Sequence, residues 1–128
     1  MNLIDYAKEA ATNSYSPYSN FKVGAALLTK NGKLYKGCNV ENGAYSPSCC
    51  AERTAFVKAI SEGEKEFDSI AIVGGKDNFD EFCLPCGVCR QFMSEFCDQD
   101  FKIYVSNNKE TKMYTLEELL PHSFKLEK

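Results

Sequence analysis

Two short apolar runs restrict the possible folds of this chain more than any other feature. "SIAIVGG", Ser69 to Gly75, is β-branched and apolar, as a buried strand would be, and "FKIYVSN", Phe101 to Asn107, reads as a second strand. Between them lies "PCGVCRQFMSEFC", where Val88, Phe92, Met93 and Phe96 form an amphipathic helical pattern just after Pro85. Strand, helix and strand in that order predict a parallel pair joined by a helical crossover. Upstream, "FKVGAALLTK" and "KLYKGCNVEN" flank Asn31-Gly32, which predicts an antiparallel hairpin closed by a type I′ turn. Both senses of strand must then share one mixed sheet, with "TKMYT" as a short edge strand. Helices are predicted for residues 2 to about 13, from Leu3, Ile4, Ala7, Ala10 and Ala11, and for "CAERTAFVKAISEG", which Gly63 stops. "LEELLP" adds a last helical turn before Pro121. The expected fold class is α/β, with helices on both faces of the sheet.

The length of 128 residues suits a single domain, 1–128, with one core. The opening "MNLIDYAKEA" lacks a basic leader, and no apolar run reaches the ~20 residues of a membrane span. A cytoplasmic protein with no membrane partner is therefore expected. The seven cysteines are an odd number, so a closed disulfide framework would leave one thiol over, and reduced thiols are the better reading. The net charge of −3 comes from interleaved acids and bases with no basic stripe, which argues against a nucleic acid polymer as partner.

Chemistry concentrates in two places. Cys86 and Cys89 form a Cys-x-x-Cys at a predicted helix start, where unpaired N–H groups favour thiolates. Alone, such a pair fits a redox couple, half of a structural zinc site or an accident. A second thiol pair, Cys49-Cys50, heads another predicted helix and favours a metal. The sole histidine, His122, stands beside Pro121 in the tail, and Cys83 lies outside the helix. Neighbouring helical side chains diverge by about 100°, so Cys49 and Cys50 should not share an ion. The economical set is Cys50, Cys86 and Cys89, which leaves one position of a tetrahedral site open to water. Glu52 can then serve as acid and base if the site lies off the helix end. Arg53 shares a face with Cys50 and can donate hydrogen bonds to the thiolates. Taken singly, Glu52 as a helix-dipole partner and Arg53 as a solvated charge would be the plainer readings.

"CAER" followed by "PCGVCRQ" resembles the zinc-dependent cytidine deaminase family. "SPYSNFKVGAAL", "GCNVENGAYSPSCCAERTAF" and "LLPHSF" resemble its other blocks, so the likeness runs from about Ser16 to Phe124. It is nearest to the small homotetrameric type that acts on free nucleosides. The resemblance implies a three-layer α/β/α sandwich around a mixed five-stranded sheet. It implies one Zn2+ per subunit on Cys50, Cys86 and Cys89, with Glu52 as proton shuttle. It further implies Phe21 against the pyrimidine, Asn39 and Glu41 on the ribose 3′-hydroxyl, and the Ala51 backbone on the base. Tyr45 and Phe124 would be offered to a neighbouring subunit. Without it, the three aromatics would be read as packing residues, and Asn39 and Glu41 as loop caps. Two details depart from the commonest pattern, Gly43-Ala44 before Tyr45 and the extra thiol Cys49. The implied reaction is hydrolytic deamination of cytidine and 2′-deoxycytidine to the uridine nucleosides and ammonia, in pyrimidine salvage. The rivals are a blasticidin S-type deaminase, a polynucleotide editor, and a non-catalytic structural zinc module with a fourth protein ligand.

Overall fold

The first helix is fixed by its own side chains. Asn2 Oδ1 accepts from the Asp5 N–H at 2.9 Å, and the Asp5 carboxylate accepts from the Asn2 N–H at 3.2 Å. This reciprocal cap starts α1 (Leu3–Ala11), whose Ala7, Ala10 and Ala11 are buried. The computed structural model describes residues 2–128. Strands β1 (Lys22–Thr29) and β2 (Leu34–Cys38) follow, then α2 (Ala51–Ser61), β3 (Phe67–Gly75), α3 (Gly87–Phe96), β4 (Lys102–Ser106), β5 (Thr111–Thr115) and the short α4 (Leu116–Leu119).

The hairpin is present, but its turn differs from the type I′ expectation. Only Gly32 has positive φ, 86°, whereas a type I′ turn needs Asn31 there as well. The Gly32 N–H donates to Thr29 O at 3.1 Å and the Thr29 N–H to Lys33 O at 2.9 Å. The connection is thus a type I-like turn through Lys30 and Asn31, followed by a left-handed glycine. The Thr29 hydroxyl explains the choice. It pairs with Asn31 Oδ1 and accepts the Lys33 N–H at 2.9 Å, which ties Asn31 back toward the strand.

The sheet order is β2-β1-β3-β4-β5. Strands β3 and β4 are parallel, with Ala71 opposite Tyr104, and every other neighbouring pair is antiparallel. The mixed five-stranded sheet is therefore as expected. Alternation along the strands divides the apolar side chains between two faces. On one face Ala25, Leu27, Ile70, Ile72, Ile103 and Val105 pack with Ala51, Ala55 and Phe56 of α2 and Cys89 and Met93 of α3. On the other, Ala26, Ala71 and Val73 pack with Ala7, flanked by Leu3, Ile4 and Tyr6 of α1. The result is three layers, α1 over one face and α2 with α3 over the other. Phe56 anchors the larger core, edge-on to Phe67 at 5.0 Å between ring centroids.

Gly37 sets how closely α2 approaches β2. A Cβ there would lie 2.5 Å from Ala55 N and 2.6 Å from Ala51 O, both backbone atoms of the helix. Only a residue without a side chain lets the first turns of α2 rest directly on the strand. Gly37→Ala is expected to push α2 outward at a cost of about 1–3 kcal/mol. Because Ala51 directly follows Cys50, metal content should fall as well. Thermal denaturation and metal analysis of the variant check both effects.

Candidate active site

Two helix starts meet on the same side of the sheet. Cys50 is the N-cap of α2 and Cys86 the N-cap of α3, both with extended backbone. Cys89, in the first turn of α3, is fully buried, and its N–H donates to Cys86 Sγ at 3.5 Å. The three sulfurs lie within 4.8 Å of one another, and Cys50 Sγ and Cys86 Sγ are 3.8 Å apart. Thiolates about 2.3 Å from a tetrahedral zinc would be about 3.8 Å apart, so the donor set fits that ion in both chemistry and spacing. Among the described residues, no fourth histidine, cysteine or carboxylate joins the group.

Cys49 points elsewhere, although not for the helical reason expected. Both cysteines precede the first helical residue, and Cys49 pairs with Val40 through two backbone hydrogen bonds of 2.9 Å. Extended backbone sends successive side chains to opposite sides. The Cys49 sulfur accepts instead from the Thr54 hydroxyl at 3.4 Å.

Glu52 and Arg53 are the second and third residues of α2. Glu52 is only 4% exposed, and burial pushes its carboxyl up to about 7, with the nearby Cys50 charge adding to the rise. A carboxyl in that range exchanges a proton readily near neutral pH. Arg53 Nη2 donates to Cys50 Sγ at 3.3 Å, and this bond strengthens the hold of the guanidinium on its charge. The hydrogen bond from the Cys89 thiol, joined by that of Arg53, holds Cys50 down to about 5 against the effect of burial. Its bond to Cys50, together with burial, pushes Cys89 up. A cation set among the three would take all of them as thiolates.

A cavity of about 640 Å³ opens over this cluster. Its walls include Phe21, Asn39, Glu41, Tyr45, Ala51, Glu52 and Arg53 together with Cys50 and Cys86, so most of the anticipated residues converge. Phe124 does not line the cavity and is 64% exposed. Asn39 and Glu41 hold the segment before β1. Asn39 Nδ2 donates to Phe21 O at 2.8 Å, and its Oδ1 accepts from the Val23 N–H at 2.9 Å and from the Ser14 hydroxyl. Glu41 Oε1 accepts from the N–H groups of Tyr18 at 3.0 Å and Ser19 at 3.2 Å. Its bond from the Ser19 hydroxyl, followed by these backbone donors, holds its carboxyl below the ordinary glutamate range. The loop-cap reading of this pair is therefore correct as geometry, and the two side chains still face the cavity.

The family model for the cytidine and deoxycytidylate deaminase zinc-binding region matches residues 1–105. The chain belongs to this deaminase family. A cytidine deaminase of Sporosarcina psychrophila is 45% identical over 126 residues, covering 98% of this chain and 90% of that protein. The crystal structure of cytidine deaminase from Burkholderia pseudomallei matches with a TM-score of 0.87 at 43% identity, over 95% of this chain and 96% of that one. A blasticidin-S deaminase of Bacillus cereus is 33% identical over 126 residues, or 94% of this chain and 89% of the other. Within this deaminase fold, zinc-binding chemistry and the sulfur cluster agree.

One residue near the site escaped the sequence reading. Arg90 donates from Nε to Pro85 O at 2.8 Å and from Nη1 to Leu119 O at 2.9 Å, bracing the segment before Cys86 against the end of α4. Its place directly after Cys89 was visible, but its distant partner was not. Cys83 lines the cavity, and burial pushes its thiol up to about 12, which keeps it protonated. Cys50→Ala, Cys86→Ala and Cys89→Ala are each expected to lose stoichiometric zinc, whereas Cys49→Ala should keep it. Metal analysis of the four purified variants is the check, and full zinc in Cys50→Ala with none in Cys49→Ala would reverse the assignment.

Proposed function

We propose that the chain hydrolyses cytidine and 2′-deoxycytidine to the corresponding uridine nucleosides and ammonia, with one Zn2+ per subunit held by Cys50, Cys86 and Cys89. The observation that carries this reading is a three-thiol cluster beneath a cavity that also holds a buried, unligated carboxyl. Bound zinc supplies the Lewis acidity that makes water a nucleophile at neutral pH. Glu52 stays outside the ligand group, so its carboxyl is free to hold the proton taken from water. As the water oxygen adds to C4, Glu52 passes that proton to N3 of the base; it then carries the second proton, from the new C4 hydroxyl, to the exocyclic amino group, which leaves as ammonia when the C4–N bond breaks. Arg53 offsets the charge of the thiolates.

The cavity volume lies in the range of small-molecule sites, roughly 300–1,000 Å³, and suits a nucleoside. Phe21 and the Ala51 backbone are assigned to the base. Hydrogen-bond inventory supports the sugar assignment. Glu41 has three of about four acceptor positions filled, and Asn39 has both oxygen lone pairs and one of two amide hydrogens engaged. One acceptor and one donor remain, which is the complement of one hydroxyl group. A site that reads a single sugar hydroxyl can accept both the ribose and the 2′-deoxyribose nucleoside.

The sugar-directed pair favours a cytidine-type substrate. A structural zinc module would need a fourth protein ligand, and the cluster offers none among the described residues. The seven cysteines are all uncrosslinked, which supports a reducing, cytoplasmic setting for this salvage reaction. Tyr45 is 78% exposed at the cavity rim, and Phe124 stands free of the cavity. Both fit a homotetramer in which each subunit helps to close a neighbour's site.

The direct test follows the ultraviolet absorbance of cytidine and of blasticidin S on addition of zinc-loaded protein. Cytidine should be consumed, and Glu52→Gln should retain zinc while losing about 10²–10⁴-fold or more in turnover. Zinc loss in step with activity would make Glu52 a ligand. For the shared site, Glu52→Gln subunits are mixed with subunits truncated before Ser123. Activity should partly return, because some sites then pair an intact Glu52 with an intact neighbouring tail. A fully active monomer on a sizing column would end the shared-site reading.

A further inference from the structure

The backbone of Phe21 is held on both sides by polar side chains. Its carbonyl accepts from Asn39 Nδ2, and its N–H donates to Ser19 Oγ at 3.0 Å. The same Ser19 hydroxyl donates to Glu41 Oε2. Asn20, between Ser19 and Phe21, has φ 57°, a left-handed conformation that asparagine tolerates well. This tight bend lets the serine reach forward to the Phe21 N–H while its own N–H reaches Glu41 Oε1. One hydroxyl thus bridges the aromatic platform and the carboxylate.

We propose that Ser19 is a positioning residue that couples sugar recognition to base recognition, by fixing Glu41 and Phe21 as one unit. The inference rests on the reading of Glu41 as the sugar contact. Without the hydroxyl, Glu41 keeps two backbone donors on Oε1, but Oε2 is free to rotate toward solvent. A substrate hydroxyl then meets a carboxylate that must be ordered on binding, and the ordering cost offsets part of its hydrogen bond. The platform loses its anchor on the N–H side at the same time.

A role in stability alone would look different. Ser19 is exposed, so its truncation removes little buried surface and leaves the Phe21 N–H within reach of water. Among the described residues, the hydrogen bonds of this hydroxyl go only to Glu41 Oε2 and the Phe21 N–H, neither of them in the sulfur cluster. The effect should therefore appear in substrate discrimination and not in melting temperature or metal content.

The experiment compares kcat and KM for 2′-deoxycytidine and 2′,3′-dideoxycytidine, which differ by one hydroxyl, in the zinc-loaded wild type, Ser19→Ala and Ser19→Thr. The wild type should favour 2′-deoxycytidine by roughly 10- to 100-fold in kcat/KM, as expected for a hydrogen bond to a charged group. Ser19→Ala should cut that ratio by roughly 3- to 10-fold, mainly through KM, with zinc content and melting temperature unchanged. Ser19→Thr, which keeps the hydroxyl, should restore the ratio. An equal loss for both substrates in Ser19→Ala would overturn the coupling while leaving the sugar reading of Glu41 intact. A wild-type ratio near one would overturn the sugar reading and the coupling with it. Loss of zinc or of thermal stability in Ser19→Ala would also overturn the proposal, because the hydroxyl would then belong to the fold.

Discussion

Three sulfurs can share one small volume here because positive charge reaches them from several directions. Cys50 and Cys86 are both N-caps, so the unpaired N–H groups of α2 and α3 lie beside the cluster, and Arg53 adds a full charge at 3.3 Å. Bringing two helix starts to one place is a demanding requirement, and much of the architecture answers it. Both helices lie on one face of the sheet, packed on Ile70, Ile72 and their neighbours. The β3–α3–β4 crossover begins at the carboxyl end of β3, the end of an α/β sheet where ligand sites gather. The side-chain-free contact at Gly37 then sets the height of the first turn of α2 over the sheet.

The sulfur cluster and the Asn39–Glu41 wall of the cavity are joined by one antiparallel bridge, Val40 with Cys49. Asn39 and Glu41 flank the bridge on one segment, and Cys50 follows it on the other. The distance between this cavity-lining pair and the sulfur cluster is therefore fixed by two backbone hydrogen bonds of 2.9 Å. Backbone pairing is stiffer than any contact between long side chains, so it is a sound place to set such a distance. Cys49 lies at this junction, which gives it a structural reason to be there that does not involve a metal.

Much of this was legible in the sequence because it depends on local periodicity. The mixed sheet followed from two apolar runs around an amphipathic segment together with the antiparallel hairpin, and the cluster from thiols at two helix heads. The hairpin was legible and its turn was not, because the Thr29 hydroxyl competes for Asn31 and outweighs the dipeptide preference. Cys50 was chosen over Cys49 by a helical argument, whereas the extended bridge to Val40 is what separates the two. Arg90 and Ser19 went unread for a common reason. Their partners, Leu119, Glu41 and the Phe21 N–H, are set by tertiary packing or by a left-handed bend that no periodicity announces.

The rim of the cavity carries the remaining argument. Tyr45 has φ 65°, a conformation that is strained for a bulky side chain, and it is 78% exposed. The turn that holds it uses the Asn42 carbonyl, which accepts the Tyr45 N–H at 2.9 Å, and Asn42 Oδ1, which accepts from Ala44 at 2.9 Å. Local hydrogen bonds thus maintain a costly backbone state that leaves a large aromatic side chain mostly in solvent at the cavity rim. Val88, Leu84 and Val40 are also exposed around the same opening. Deamination calls for a base screened from bulk water, so that protons pass only through the group that shuttles them. The single chain leaves that screen open on a side where Tyr45, Val88, Leu84 and Val40 are exposed. A neighbouring subunit laid over this rim would bury them and close the cavity together, and this is the physical reason to favour a site shared between subunits.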